Sequence, residues 1–267
     1  ADGVFYSKPV SKPATKIKSV ENLTYAVYLP GGSALAYTAV TGKSDPELKE
    51  GFAEIHLIAN GKDTLLMKRS AKLLRPLSDG SLLAIRIDKV NKSKENHKSY
   101  TGKLVRLSTA GKTTDLCTVT GTGEMFLAVR GDSKKALLVC YAAGTYKPAA
   151  GNRRGKPSEQ CYEVDLATGK VTLVANTEKI NYAIYSPSGK HVLMQTDDNL
   201  IVTDAAFKVR TTLATDGAAQ VGGFGQSTDA YPGWYDETTI YYLRKDKVYG
   251  SNCVNMHLTL VDVKTKA

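Results

Sequence analysis

Two kinds of tight turn alternate along the chain, and this repeat constrains the fold more than any other feature of the sequence. Turns of the first kind are rich in Gly, Ser, Asp and Pro and lie about 50 residues apart, at 30–33, 78–81, 131–134, 186–190 and 235–238. Turns of the second kind follow further along, at 60–62, 110–112, 168–170, 207–208 and 265–266. Such residues bond to their own backbone or tolerate positive φ, as β-hairpins require. Each repeat is therefore predicted to contain four consecutive antiparallel strands.

Four-stranded units that recur with this period are typical of β-propellers, and no helical periodicity is sustained. The sequence predicts an all-β fold, a single domain with the architecture of a five-bladed β-propeller. The predicted blades are residues 21–69, 70–119, 120–177, 178–215 and 216–267, the last completed by residues 15–19. An N-terminal strand in that position would close the ring and hide its free edges. Residues 4–7 are strand-like too. They would either pair inside the same blade or belong to a sixth blade, so a six-bladed or partial propeller from a larger protein is the alternative.

Several segments resemble the TolB-type, WD40-like propeller repeats. Ser186-Pro-Ser-Gly-Lys190 is similar to the first turn of that repeat, and residues 161–169 are similar to its third strand and second turn. The resemblance spans most of the chain and is strongest in the third to fifth repeats. It implies an exported binding or scaffold module, or a propeller attached to other domains. TolB has six blades and a further α/β domain, neither of which is found here, so its partner is not carried over.

Propeller geometry sorts the connections by side, because successive strands run in opposite directions. The connections between the second and third strands of each repeat share one side, which we call the long-loop face. Long insertions lie there at 41–52, 88–102, 142–160 and 244–255, whereas the opposite side has only tight turns. Long loops on one side of a rigid scaffold are where binding usually occurs.

The charge of the chain follows this asymmetry. Its formal net charge is +10, and three of the four insertions are basic and contain a tyrosine. The predicted binding residues are Lys92, Lys94, Lys98, Tyr100, Tyr146, Lys147, Arg153, Arg154, Lys156, Arg244, Lys245 and Lys247. Cations with interleaved aromatic rings suit an anionic polymer. The sequence thus predicts a non-catalytic binding or scaffold protein whose partner is a protein, an anionic polymer or other domains of a larger protein. Lysines that serve only solubility are the alternative.

A second set of residues points to a different class of function. Acidic residues lie near the start of the first strand in four repeats: Glu21, Glu124, Glu178 and Asp229. In a ring they would converge on the central channel, where paired carboxylates support glycoside hydrolysis. A glycan-active hydrolase or lectin is therefore the alternative function. Because no other catalytic motif is present, we expect no enzyme activity, no cofactor and no metal.

The four cysteines indicate in which cellular compartment the protein is expected. Cys140 ends one predicted strand and Cys161 begins the next, so a disulfide between them would clamp the base of the third insertion. Such a bond, together with an Ala1-Asp2-Gly3 start that resembles a cleavage product, predicts an exported protein, periplasmic, extracellular or on the cell surface. Buried thiols are the alternative. No apolar run approaches the roughly 20 residues of a membrane helix, so no membrane insertion is expected.

Overall fold

The computed structural model describes residues 3–7, 15–32, 34–40, 44–47, 51–92, 98–122, 125–147, 159–174, 180–196, 199–208, 210–213, 232–249 and 253–264. Within these ranges all regular secondary structure is β-strand and every strand pairing is antiparallel. The chain divides into two compact units, the first made of residues 1–127, 141–147 and 168–170, and the second of the remaining residues.

The first compact unit contains a two-stranded and an eight-stranded sheet. The strands of the small sheet are β1 (Gly3–Ser7) and β2 (Thr15–Val20). The large sheet has the order β12-β9-β8-β7-β6-β5-β4-β3. Its strands are β3 (Leu23–Tyr28), β4 (Ala34–Val40), β5 (Ala53–Ala59), β6 (Lys62–Pro76), β7 (Leu82–Lys92), β8 (Lys98–Leu107), β9 (Thr113–Gly121) and β12 (Ala142–Ala143). The long strand β6 belongs to two repeats, because its first part pairs with β5, its last part pairs with β7, and Ser70 pairs with both.

The second compact unit contains most of three further sheets. Two of them have four strands in sequence order, β10-β11-β13-β14 and β15-β16-β17-β18, and the third is β19-β20-β21. The strands are β10 (Phe126–Val129), β11 (Lys135–Cys140), β13 (Gln160–Asp165), β14 (Val171–Leu173), β15 (Tyr182–Tyr185), β16 (His191–Gln195), β17 (Leu200–Asp204), β18 (Arg210–Leu213), β19 (Gly233–Trp234), β20 (Thr239–Tyr249) and β21 (Cys253–Asp262). Separate four-stranded sheets are therefore confirmed for the third and fourth predicted repeats, whereas the last described sheet has three strands.

The tight turns form where the sequence predicts them, because their causes are local. The amide of Ser186 donates to the carbonyl of His191 at 2.8 Å and closes a turn in which Gly189 has a φ of 72°. Asn60 and Gly61 have φ angles of 50° and 73°, which is the backbone of a two-residue type I′ hairpin. Non-glycine residues with such angles are usually Asn or Asp, so this turn type follows from the residue types alone.

Apolar side chains fill the space between neighbouring repeats. In the first unit, Ile55 and Leu57 of β5 pack in one cluster with Leu82 and Ala84 of β7. In the second unit, side chains of β16 and β17 pack against Ile240 of β20. Burial on both faces explains why these strands read as continuous apolar runs rather than as strict alternation.

The N-terminal strand differs from its predicted pairing. Residues 15–19 were expected to complete the last repeat, but among the described residues β2 pairs with β1, from Gly3 opposite Val20 to Ser7 opposite Thr15. Pairing of residues 4–7 beside this strand was one of the two options that the sequence left open. Closure of a ring by β2, and the number of blades, stay predictions.

Candidate binding site on the long-loop face

The second insertion is a β-hairpin rather than the predicted loop. Strands β7 and β8 continue beyond the body of the sheet, with Val90 opposite Tyr100 and Lys92 opposite Lys98. A bulge between Ile87 and Lys89 precedes this extension. Tyrosine, valine and threonine favour a pleated strand, and each residue gains a cross-strand neighbour that a loop would lack. The register of the two strands therefore determines which side chains of residues 89–92 and 98–101 are neighbours.

An open pocket lies where the first two insertions meet the sheet. Val40 at the end of β4, Phe52 just before β5, Lys72 of β6, Ile87 of β7 and Tyr100 of β8 line it. Gly51, Ala53, Ser70 and Ala71 complete the lining. The pocket is shallow: about 380 Å³ of empty space lies within it when open solvent at the mouth is counted, but only about 70 Å³ can hold the centre of a water molecule. The pocket thus joins residues of two consecutive repeats on the long-loop face.

An aromatic pair forms one wall of the pocket. The rings of Phe52 and Tyr100 meet edge to face, with centroids 5.9 Å apart and planes at 78°. This arrangement places the positive edge of one ring on the negative face of the other and contributes about 0.5–1.5 kcal/mol beyond the burial of area. Phe52 is buried and Tyr100 is half-buried. The wall is therefore held in place by protein contacts.

Buried hydroxyl groups organise the backbone beneath the pocket. The pairing of β6 with β7 is interrupted between Ser70 and Leu74, so the backbone there needs other partners. Thr38, which is fully buried, donates its hydroxyl to the carbonyl of Lys72 at 2.7 Å. The Ser70 hydroxyl donates to the carbonyl of Ala71 at 2.6 Å. These bonds hold the segment that carries the Lys72 side chain.

Arginines of the first unit are engaged by acidic side chains. Arg69 donates to Asp45 and to Glu47, each at 2.6 Å, so one guanidinium pairs with two carboxylates of the first insertion. These hydrogen bonds raise the pKa of Arg69 above its ordinary value. Arg86 likewise bonds to Asp88 and Asp115. These two guanidinium groups are already occupied by the protein's own carboxylates.

The lysines around the pocket differ from these arginines in their charged partners. Lys72 and Lys92 are exposed, and no carboxylate in the described part of the chain forms an ion pair with either ammonium group. Lys98 and Tyr100 are two residues apart on β8, so their side chains project from the same face of the hairpin. Lys92 on β7 is the cross-strand partner of Lys98. Like charges directly opposite one another destabilise a strand pair. Lys92 and Lys98 thus bring two ammonium groups onto neighbouring strands of the hairpin.

The start of the third insertion takes another path. Residues 142–143 form β12, which pairs with β9, and the Gly144 amide donates to the Thr118 carbonyl at 2.8 Å. Tyr146 and Lys147 follow, both exposed, along the outer edge of β9. They do not line the pocket. This part of the insertion covers an edge strand, a function that the sequence did not indicate.

Other predicted binding residues are not brought together by the described structure. Lys94, Arg153, Arg154 and Lys156 lie outside the described residues. Arg244, Lys245 and Lys247 lie on β20 in the second unit, where the predicted loop is a strand pairing with β21 as far as Tyr249 opposite Cys253. Their part in binding stays a prediction.

Of the four residues in the predicted carboxylate cluster, the structure describes one. Glu21 lies in the turn between β2 and β3 and is exposed. Glu124, Glu178 and Asp229 lie outside the described residues. Among the residues that the structure covers, no three His, Cys, Asp or Glu side chains form a group that could hold a metal ion. The channel cluster therefore stays a prediction.

The predicted disulfide clamp is wrong: in the structure Cys140 and Cys161 are both buried, and no disulfide joins them. Cys161 lies opposite Val139, whereas Cys140 lies opposite Gln160. The two cysteines are thus one residue out of register, and adjacent strand residues point to opposite faces. Burial raises the pKa of Cys161 far above its usual range, as expected of a thiol that only packs.

Sequence reasoning missed the residues that form the pocket. Val40, Phe52, Ser70, Lys72 and Ile87 come from four separate parts of the chain. One usable signal was Phe52, an aromatic residue directly after a polar, acidic insertion. Lys72 gave no signal, because its place in the pocket depends on the interrupted pairing of β6.

Comparisons with known proteins agree with the architecture. No protein-family model matches the sequence, and no curated protein shows significant similarity to it. The β-propeller domain of the Trilobed protease from Pyrococcus furiosus matches 98% of this chain and 80% of its own length, with a TM-score of 0.53 and 12% identity. The acylaminoacyl peptidase of Pyrococcus horikoshii matches 94% of this chain, which spans only 40% of that enzyme, with a TM-score of 0.54 and 12% identity.

An oligogalacturonate lyase from Vibrio parahaemolyticus is also similar, with a TM-score of 0.57 and 11% identity over 87% of this chain and 66% of the lyase. At such identities the likeness shows the fold, and the chain is a β-propeller. The TolB-type repeat family stays a resemblance, because no family model matches. None of the described residues belongs to a helix with the length and hydropathy that membrane crossing requires.

The comparisons correct one expectation. The sequence predicted that the chain is not an enzyme, yet similar structures include peptidases and an oligogalacturonate lyase. Propellers of this kind thus occur within enzymes, and the absence of a catalytic motif was a poor basis for that prediction.

Proposed function

We propose that this β-propeller binds an acidic polysaccharide on the long-loop face of its first compact unit. The observation that carries the proposal is the pocket lined by Phe52, Tyr100 and Lys72, with Lys92 and Lys98 further out on the same hairpin. Cationic side chains beside an aromatic wall suit a ligand that has both negative charge and apolar ring faces.

Long-range charge supports an anionic partner. The chain has 36 basic and 26 acidic residues, so anions are attracted to it from a distance. At short range, Arg69 and Arg86 bond to carboxylates, whereas no carboxylate in the described ranges pairs with Lys72 or Lys92. A bound polyanion would therefore gain its ion pairs from lysines, and its affinity would fall as salt concentration rises.

A polysaccharide fits this site better than a nucleic acid. Single-stranded nucleic acids bind by stacking bases on exposed aromatic faces, often with arginine. Here Tyr100 is half-buried against Phe52, and Arg69 and Arg86 are occupied. The oligogalacturonate lyase that shares the fold is named for an acidic oligosaccharide, which makes polygalacturonate the first polymer to test.

The test is a binding measurement by biolayer interferometry on immobilised polygalacturonate, with neutral dextran and single-stranded DNA as comparison polymers. The double variant Lys92→Glu/Lys98→Glu should weaken binding by about tenfold or more, since two attractive contacts become repulsive. The matched control is Lys62→Glu/Lys112→Glu, which changes the net charge equally at exposed turns at the other ends of the strands. Equal losses in both variants, or tighter binding of DNA, would refute the proposal.

We infer in addition that the protein is exported and that five repeats make up the propeller. The export rests on the resemblance to exported propeller repeats, and the number of blades on the five pairs of tight turns. Fractionation of the source cells tests the first inference. An experimental structure in which β2 pairs with β21 would support the second, and one with a sixth blade would refute it.

A further inference from the structure

We infer that Thr101 is a positioning residue of the hairpin formed by β7 and β8. In this role it contacts no polymer itself and holds together the two strands that carry Lys92 and Lys98. The inference rests on the proposed function, because it assigns the residue that makes one binding surface out of lysines from two strands. Strand register, two side-chain hydrogen bonds and the number of paired strands support it.

The two faces of the hairpin carry different side chains. Thr101 alternates with Lys98 and Tyr100 along β8, so its side chain projects from the opposite face. On β7, Asn91 precedes Lys92, which is the cross-strand partner of Lys98. The lysines and the tyrosine therefore share one face, and Asn91 and Thr101 share the other. A polymer bound along the first face leaves the Thr101 hydroxyl untouched.

Two hydrogen bonds make Thr101 a link across three strands. The side-chain amide of Asn91 on β7 donates to the Thr101 hydroxyl oxygen at 2.8 Å. The Thr101 hydroxyl also lies 3.1 Å from the Thr120 hydroxyl on β9, and either group can be the donor. All three side chains are half-buried, so water replaces these bonds only in part. We call Asn91, Thr101 and Thr120 the side-chain bridge.

The side-chain bridge connects a two-stranded part of the hairpin to a three-stranded part. The pairing of β8 with β9 ends where Tyr100 lies opposite Gly121, whereas the pairing of β8 with β7 continues to Lys98 opposite Lys92. A ribbon of only two strands is marginally stable in water. Because Asn91 belongs to the two-stranded part and Thr101 to the three-stranded part, their hydrogen bond ties the weaker part to the stronger one.

The side-chain bridge should affect affinity through the fraction of molecules in which the hairpin is paired. Lys92 and Lys98 present neighbouring ammonium groups to one polymer only while their strands are paired. The apparent dissociation constant rises as the binding-competent fraction falls. Loss of one hydrogen bond shifts such an equilibrium by roughly two- to tenfold, which sets the upper limit for the change in affinity.

The experiment measures binding to immobilised polygalacturonate by biolayer interferometry. Thr101→Val keeps the branched shape of the side chain and removes its hydroxyl, and we expect it to weaken binding by about threefold. Thr101→Ser returns the hydroxyl and should restore the affinity. The matched control is Thr118→Val, which removes the 2.7 Å hydrogen bond from the Lys103 ammonium in the body of the same sheet. This control should bind as the wild type does.

A double-mutant cycle shows whether Thr101 acts through the lysines. Thr101→Val is introduced into a Lys92→Gln/Lys98→Gln background, in which residual binding stays measurable because no charge is reversed. A positioning residue has no ammonium groups left to position there, so the further loss should stay below about 1.5-fold. The same threefold loss in both backgrounds would show that Thr101 acts independently of the lysines, and would overturn the inference.

The remaining outcomes separate this inference from the proposed function. If Lys92→Glu/Lys98→Glu abolishes polymer binding and Thr101→Val binds as the wild type does, the inference falls and the proposed function stands. If the wild type does not bind polygalacturonate, both are refuted. Amide hydrogen exchange gives a readout without ligand: residues 89–92 should exchange about threefold faster in Thr101→Val than in Thr118→Val. Equal exchange in the two variants would also overturn the inference.

Discussion

Phe52 and Tyr100 belong to different repeats, and their rings meet edge to face with centroids 5.9 Å apart. Phe52 ends the first insertion and Tyr100 lies on the hairpin that forms the second. This one contact joins the two repeats at the long-loop face and sets the position of the hairpin beside Lys72. The pocket therefore depends on packing between repeats.

Loss of that aromatic contact should destabilise the protein as well as the site. Tyr100→Ala removes the pair energy of about 0.5–1.5 kcal/mol together with buried ring surface, so we expect a loss of about 1–3 kcal/mol in the free energy of unfolding. Tyr100→Phe keeps the ring and should stay within about 0.5 kcal/mol of the wild type. Urea denaturation measures both. Tyr28→Ala, at a tyrosine that is 50% exposed, is the control. A Tyr100→Ala variant as stable as that control would contradict the contact.

The base of the hairpin requires a residue without a side chain at position 102. A Cβ atom on Gly102 would overlap the carbonyl oxygen of Arg86 on the neighbouring strand. Gly102→Ala should therefore cost roughly 2–4 kcal/mol of stability, because the backbone of β7 must shift. Gly51→Ala is the matched control, since its nearest atom would be Val40 Cγ1 at 3.9 Å. Equal midpoints for the two variants in thermal denaturation would show that the strands are not this close.

In the second unit a buried carboxylate depends on two donors. Glu163 accepts hydrogen bonds from the Tyr185 hydroxyl at 2.7 Å and from the Lys135 ammonium at 2.5 Å. Burial, followed by the bond to Glu163, raises the pKa of Tyr185 far above its usual range, so the hydroxyl stays a donor. Tyr185→Phe should cost about 1–3 kcal/mol, since Glu163 loses a partner in a buried place. Tyr235→Phe, at a tyrosine that is 70% exposed, should have no effect.

The thiols should be free and protected. Cys117, Cys140 and Cys161 are buried, and burial raises the pKa of Cys117 to about 11, so little thiolate is present at pH 8. We expect iodoacetamide to label these three slowly in the native protein and rapidly in urea without reductant. Peptide mapping by mass spectrometry provides the measurement. A disulfide-linked peptide that contains Cys140 and Cys161 would contradict the register of β11 and β13.

Acid should weaken the turns at the other end of the sheets. Hydrogen bonds from Ser81 to Asp79 and from Arg130 to Asp132 lower the pKa of each carboxyl below its ordinary value. A lowered folded-state pKa means that the stabilisation is present above the unfolded pKa of about 3.9 and is lost as pH falls through the folded value.

The pair Asp79→Asn/Asp132→Asn tests this relationship. The melting temperature of the variant should lie below that of the wild type at pH 7, and the difference should shrink between pH 5 and pH 2.5. Screening limits the effect, since both carboxylates are largely exposed. A difference that is the same at every pH would show that the charge of the two carboxylates does not contribute.

Much of the fold followed from the sequence because its causes are short-range. Turns such as Asn60-Gly61 depend on the residue types within them, and their regular spacing revealed the repeated four-stranded sheets. The long-loop face is a prediction that builds on these repeats, because the direction of antiparallel strands determines on which side each connection within a sheet lies. Lys92, Lys98 and Tyr100 were identified in this way and do lie together on one hairpin.

Features that depend on the register of paired strands could not be predicted from the sequence. A shift of one residue decides whether Cys140 and Cys161 face each other, and neither cysteine carries information about that shift. The conversion of residues 88–102 from loop to hairpin likewise depends on cross-strand neighbours. So does the change of partner within β6, where Ser70 pairs with both Ala53 and Arg86.

The sequence by itself determined that this chain forms repeated antiparallel sheets, and it predicts that basic, tyrosine-containing insertions connect their second and third strands. Only the tertiary structure decided which side chains meet there: Phe52 with Tyr100, and Lys72 beside both. The physical reason is the distance along the chain over which each kind of interaction acts. Turn geometry and strand preference act between residues a few positions apart, whereas a pocket is made by residues distant in the chain, whose approach depends on packing and register across the whole sheet.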